Sequence, residues 1–273
     1  MAYEHAGRGA LDYAPCRYGK SKLLFRGPRR NLEAAFCAAM GGTETYGKFV
    51  AEPWPALLEG AIGWPVVNFG CLNAGIDVFL HEPQLAEVWR RAQVSVVQLM
   101  GAQNMSNRFY AVHPRRNDRF LRASTLMRSI FPEVDFTAFN FTRHMLLTLQ
   151  GQAPDRYATL VEELQAAWVS RMSTLLDRIE GRKVLLWVGD YAPPGSAGNP
   201  GSGPALVTPQ MVAQIQPMAD RLVQVAPSAG ARTSGTRGMH FAVLEEPAAA
   251  EMPGPLVHRE IAEQLTPVLR GML

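Results

Sequence analysis

The sequence is poor in the features that would tie a chain to an oxidising compartment, a membrane or a polyanion. Only three cysteines occur in 273 residues, Cys16, Cys37 and Cys71. They form no CxxC pair and two lie in apolar runs, which argues against a disulfide framework and against a zinc site. No apolar run approaches the length of a bilayer crossing, and the opening MAYEHAGRGALDY has no basic stretch leading into an apolar one. The expected location is therefore the cytoplasm, with no membrane span. Net charge is modest as well, at +3 with 19% of residues charged, and no DNA- or RNA-binding module signature is present, so a nucleic-acid partner is not expected.

What is present is ordinary globular material: 47% hydrophobic residues arranged in short runs. Apolar runs at 32–40, 66–69, 94–100, 184–188 and 221–225 read as five strands. Between them lie helical patterns at 43–63, which Pro53 and Pro55 should break or kink, at 77–92 with Pro83 inside it, at 155–180, at 208–219 and at 255–270. Strands that alternate with helices predict a mainly parallel five-stranded sheet in a three-layer α/β/α sandwich of flavodoxin-like form. Residues 1–32 lack either periodicity and read as an N-terminal arm ahead of a single domain at 33–273. A polar stretch at 101–120 reads as a functional loop, 119–150 as one or two short helices, and the Gly/Pro-rich stretch at 192–205 as a loop or lid.

Ligands of open α/β sheets bind beyond the carboxyl ends of the strands. The segments there are GGTETYG from Gly41, NFGCLNAG from Asn68, GAQNMSN from Gly101, and Gly189-Asp190. Glycine lets backbone N–H groups approach a ligand, and asparagine can donate to a developing oxyanion. Taken singly, these threonines and glycines serve equally well as helix caps and turns. The third segment runs on into Arg115, Arg116 and Arg119, whose forked guanidinium groups suit carboxylate, sulfate or phosphate. His113 reads as loop scaffolding, and RYGKSKLLFRGPRR lacks phosphate-loop spacing.

Together the strand-end segments and PGPLVHREIAEQL resemble the SGNH (GDSL-like) hydrolases, esterases and acyltransferases of three-layer α/β/α form, here in a degenerate member that also looks like part of an uncharacterised bacterial family. The resemblance implies Thr43 as nucleophile, His258 as general base, and Gly70 with Asn104 as the oxyanion hole. Asn73, Asn107 and arginines 115, 116 and 119 would then hold the substrate, an ester such as an O-acylated anionic saccharide, with no metal or organic cofactor. Three positions depart from the family pattern: Gly42 stands in place of Asp, Thr43 in place of Ser, and Pro255 in place of the acid. Asp190 or Glu44 would have to orient His258. The alternative is an inactive member that binds an anionic carbohydrate or a protein partner through the same cleft.

Overall fold

The computed structural model describes residues 11–191 and 204–273. Seven strands are present among them: β1 (Cys37–Met40), β2 (Val66–Asn68), β3 (Val94–Gln98), β4 (Tyr110–His113), β5 (Arg116–Ala123), β6 (Arg182–Val188) and β7 (Arg221–Val225). Five of them form one sheet in the order β2-β1-β3-β6-β7, with every pairing parallel. The three central strands are mainly apolar and show no regular polar alternation because both of their faces are covered. Every residue of β1 and β3 is buried, as expected for a sheet with helices on both sides.

The helices are α1 (Thr43–Tyr46), α2 (Trp54–Ile62), α3 (Ile76–His81), α4 (Pro83–Arg91), α5 (Thr125–Ile130), α6 (Thr142–Gln152), α7 (Pro154–Asp177), α8 (Pro209–Ile215), α9 (Ala229–Ser234), α10 (Glu246–Ala250) and α11 (Pro255–Arg270). One core layer packs α2, α9 and α11 against Cys37, Ala39, Val96 and Leu186; the other packs α3, α4, α7 and α8 against Ala38, Met40, Val97 and Leu185. Successive side chains of one strand thus enter opposite layers. The α/β architecture with a five-stranded parallel sheet is as the sequence predicts. Among the described residues no helix is long and apolar enough to cross a membrane.

Three expectations need correction. The 43–63 helical region is broken near Pro53, as its prolines allow, but the break begins earlier than they do, because the chain already turns at Gly47 (φ 73°) and α2 restarts only after Pro53. Residues 11–32 are irregular as expected, but they do not stand ahead of the core. Tyr18, Leu23 and Phe25 are buried in it, and the rings of Tyr18, Phe25 and Phe69 lie 5.1–5.8 Å apart. The 101–120 loop and the start of the next helical stretch are an antiparallel hairpin, β4-β5, closed at Pro114-Arg115. Two register shifts in that hairpin displace the alternation, so buried Asn117, Phe120 and Ala123 recur every third residue and mimic a helical face. Residues 192–203, most of the expected lid, lie outside the described residues.

Candidate functional site

In this strand order the connections leave β1 in one direction and β3 in the other, so the crevice between their carboxyl ends is the switch point at which ligands of such sheets bind. A cavity of about 190 Å³ opens there. Its wall takes Thr43 and Glu44 from the start of α1, Asn73 from the loop after β2, Gln98, Gln103 and Asn104 from β3 and its loop, Asp118 from β5, and Tyr191 after β6. A larger cleft of about 580 Å³ lies at the other end of the sheet, beside Phe36 and α4. Two of its arginines are already paired, Arg91 with Glu33 and Arg30 with Glu59, and it lies at the opposite edge from the strand carboxyl ends, so the switch-point cavity is the candidate.

Thr43 begins α1, and its Oγ1 accepts the Asn73 N–H at 2.9 Å. That contact holds Asn73 in the left-handed region (φ 57°), which asparagine tolerates better than most residues. Asn104, which also lines the cavity, is held by Thr142, whose hydroxyl donates to its Oδ1 at 2.7 Å. Gln98 is oriented in the same manner: its Oε1 accepts from Thr45 Oγ1 at 2.6 Å and from Trp54 Nε1 at 3.2 Å. Thr43, Asn73 and Asn104, all expected site residues, therefore do meet around one cavity.

Other expected residues sit elsewhere. Gly70 donates its N–H to Asn68 Oδ1 at 2.8 Å, and a Cβ there would lie 2.2 Å from Tyr46 N. Its lack of a side chain lets β2's loop pass under α1, and its N–H is not offered to the cavity. Asn107 organises its own turn, accepting from Phe109 N and Tyr110 N and donating to Met105 O. Arg115, Arg116 and Arg119 are exposed and do not line the cavity; Arg119 lies over the Phe141 ring at 5.4 Å, and Arg116 stands 4.0 Å from Asp118. Asp190 stands beside Tyr191 and does not line the cavity either.

His258 departs furthest from expectation. It lies within α11, fully buried, and its Nδ1 accepts the Trp54 backbone N–H at 3.1 Å. Burial first, with the Arg26 charge adding to it, pushes its pKa down to about 3. Trp54 and Gln98 connect it to the cavity wall, but the imidazole itself is not on that wall. The groups that replace it there are acids. Burial raises the Glu44 carboxyl above its ordinary value, and Tyr191 OH donates to it at a long 3.4 Å. Burial likewise raises Asp118, despite the lowering effect of Arg116.

Gln98, Gln103, Asp118 and Tyr191 were not singled out from the sequence. Gln98 carried a signal, as a polar residue at the end of a mainly apolar strand, and Tyr191 as the neighbour of Gly189-Asp190. Asp118 was hidden by its arginine neighbours. The loops that carry these groups pack backbone to backbone: a Cβ on Gly75 would lie 1.8 Å from the Asn104 carbonyl oxygen. We expect Gly75→Ala to separate the second and third loops and to cost roughly 2 kcal/mol, the usual range for forced overpacking. Urea unfolding measures this, and a change below about 0.5 kcal/mol would mean that the loops give way freely.

No curated protein matches the chain. Among solved structures it is similar to LAE5, an alpha/beta hydrolase enzyme from the metagenome of Lake Arreo, Spain, at 14% identity, covering 89% of this chain and 98% of that one, with a TM-score of 0.37. A likeness that distant has no bearing on what reaction, if any, occurs here. The family model described as "Domain of unknown function (DUF6473)" matches residues 1–273, and the chain belongs to that family.

Proposed function

We propose that this member of the DUF6473 family binds a small, hydroxyl-rich ligand of the saccharide class in the cavity at its switch point. One observation carries the reading. The cavity wall holds side-chain amides and carboxyls, two of which, Gln98 and Asn104, are oriented by internal hydrogen bonds, while the imidazole that would serve as base in a histidine-dependent esterase is sealed behind Trp54. Planar amides and carboxylates offer paired donors and acceptors at the spacing of neighbouring hydroxyls, and holding them rigid lowers the entropy lost on binding.

The reading is tested by titrating the whole chain with a panel of hexoses and their O-acetyl esters and following amide NMR shifts. Saturable shifts at Thr43, Asn73 and Asn104 are expected. Thr43→Ala and Asn104→Ala should each weaken binding by about tenfold, the worth of one hydrogen bond in a shielded site. A panel without a single saturable binder overturns the proposal.

A second reading keeps acyl-ester chemistry and rests on Thr43. Its oxygen is fixed by the Asn73 N–H, and a carboxyl of raised pKa, Glu44, lines the same cavity and could take the hydroxyl proton. Under this reading acetylated sugars in the same panel are hydrolysed, turnover vanishes in Thr43→Ala, and it survives in His258→Gln.

A further inference from the structure

The lining of the switch-point cavity is unbalanced in charge. Among the described residues it includes two carboxyl side chains, Glu44 and Asp118, and no lysine, arginine or histidine, although the chain as a whole carries a net +3. It is also unbalanced in hydrogen bonding. Asp118 Oδ1 and Gln103 Oε1 are both shielded from solvent, and neither has a donor among the described residues. A buried acceptor without a donor costs free energy that a ligand can recover by supplying the missing hydrogen.

Asp118 is also held in place by its surroundings. The preceding residue, Asn117, is fully buried; its Oδ1 accepts from Gly75 N at 2.9 Å and Val78 N at 3.3 Å, and its Nδ2 donates to His113 O at 2.9 Å. The first two bonds fasten the hairpin to the start of α3, and the third closes the hairpin on itself. On the following side the Thr142 hydroxyl, which also holds Asn104, lies 3.3 Å from the Asp118 carbonyl oxygen. Asp118, which lines the cavity, therefore stands on a fixed backbone, which is what a specificity group requires. The guanidinium paired with it, that of Arg116, is at 4.0 Å and half-exposed, too far and too well solvated to satisfy it.

Building on the saccharide reading, we infer that the ligand carries a protonated amino group and that Asp118 is its anchor, which makes an amino sugar the substrate class that fits this cavity. A charged N–H donor would supply the hydrogen that Asp118 Oδ1 lacks and offset the two carboxyls together. An anionic sugar would add a third negative charge to a cavity whose described lining offers no cation.

Calorimetric titration of the full chain with glucosamine, glucose, glucuronate and ethanolamine tests this. Glucosamine is expected to bind at least about tenfold more tightly than glucose, with glucuronate weakest. Asp118→Asn, which keeps the shape of the side chain, should abolish the preference, and Glu44→Gln should reduce it; circular dichroism checks that each variant is folded. Glucose binding as tightly as glucosamine, or a preference that survives Asp118→Asn in the folded protein, overturns the inference and leaves the saccharide reading standing. Ethanolamine binding without any sugar binding supports the ammonium anchor and overturns the saccharide reading. No binding by any of the four overturns both.

Discussion

Replacing His258 with glutamine should flatten the acid side of the stability curve. The imidazole is buried, its Nδ1 is committed to the Trp54 N–H, and its pKa in the folded chain falls to about 3 from an ordinary 6.5. Between these values the unfolded chain binds a proton that the folded chain refuses. The stabilisation is therefore complete above pH 6.5 and is lost as pH falls from 6.5 towards 3. A tenfold change in proton affinity is worth about 1.4 kcal/mol, so this group alone accounts for roughly 3–5 kcal/mol across that window. Glu44 and Asp118, whose carboxyls are raised in the folded state, act in the opposite sense: they favour the folded chain at low pH and lose that contribution as pH rises through their folded values. The difference between parent and His258→Gln, measured by urea unfolding at about pH 7, 5.5 and 4.5, isolates the histidine. Parallel curves for the two proteins would show that His258 is not held neutral by the fold.

Removing the Arg26 guanidinium should cost about 3–4 kcal/mol, since one group here satisfies four carbonyls and charge-assisted bonds are the stronger kind. Its Nη1 donates to Gly47 O at 2.7 Å and, at 3.3 Å, to Tyr46 O; its Nη2 donates to Val50 O at 2.8 Å and Ala51 O at 2.7 Å. These bonds tie the N-terminal segment to the stretch that carries α1 out of the site and into α2. Arg26→Met is the informative change, because it keeps the aliphatic stem and removes the fork. Arg26→Lys should restore less than half of the loss, an ammonium being unable to span four acceptors. Hydrogen exchange should quicken across residues 43–53 before it does so elsewhere. A loss below about 1 kcal/mol for Arg26→Met would mean that water replaces the fork at little cost.

The parallel sheet was legible because its central strands are covered on both faces and therefore appear as mainly apolar runs, each stopped by glycine. The β4-β5 hairpin was not legible. Its bulges put the buried residues out of phase with the two-residue repeat, and its exposed face is rich in arginine, so the same stretch read first as loop and then as helix. His258 illustrates a signal overlooked. It stands three, seven and eleven residues before Ile261, Leu265 and Leu269, on the stripe that α11 buries against the sheet. That spacing marked it as a core residue before any geometry was known.

Local composition and periodicity settled which segments form the parallel sheet and most of its helices, since those depend on which side chains can be buried along a stretch of chain. They also placed Thr43, Asn73 and Asn104 at strand ends, and so at one edge of the sheet. The rest is a matter of where distant segments dock: an imidazole taken into the core, three arginines left in solvent, and an aspartate delivered to the cavity by a hairpin. Such outcomes depend on packing and desolvation across the whole molecule, and no window of neighbouring residues contains that information.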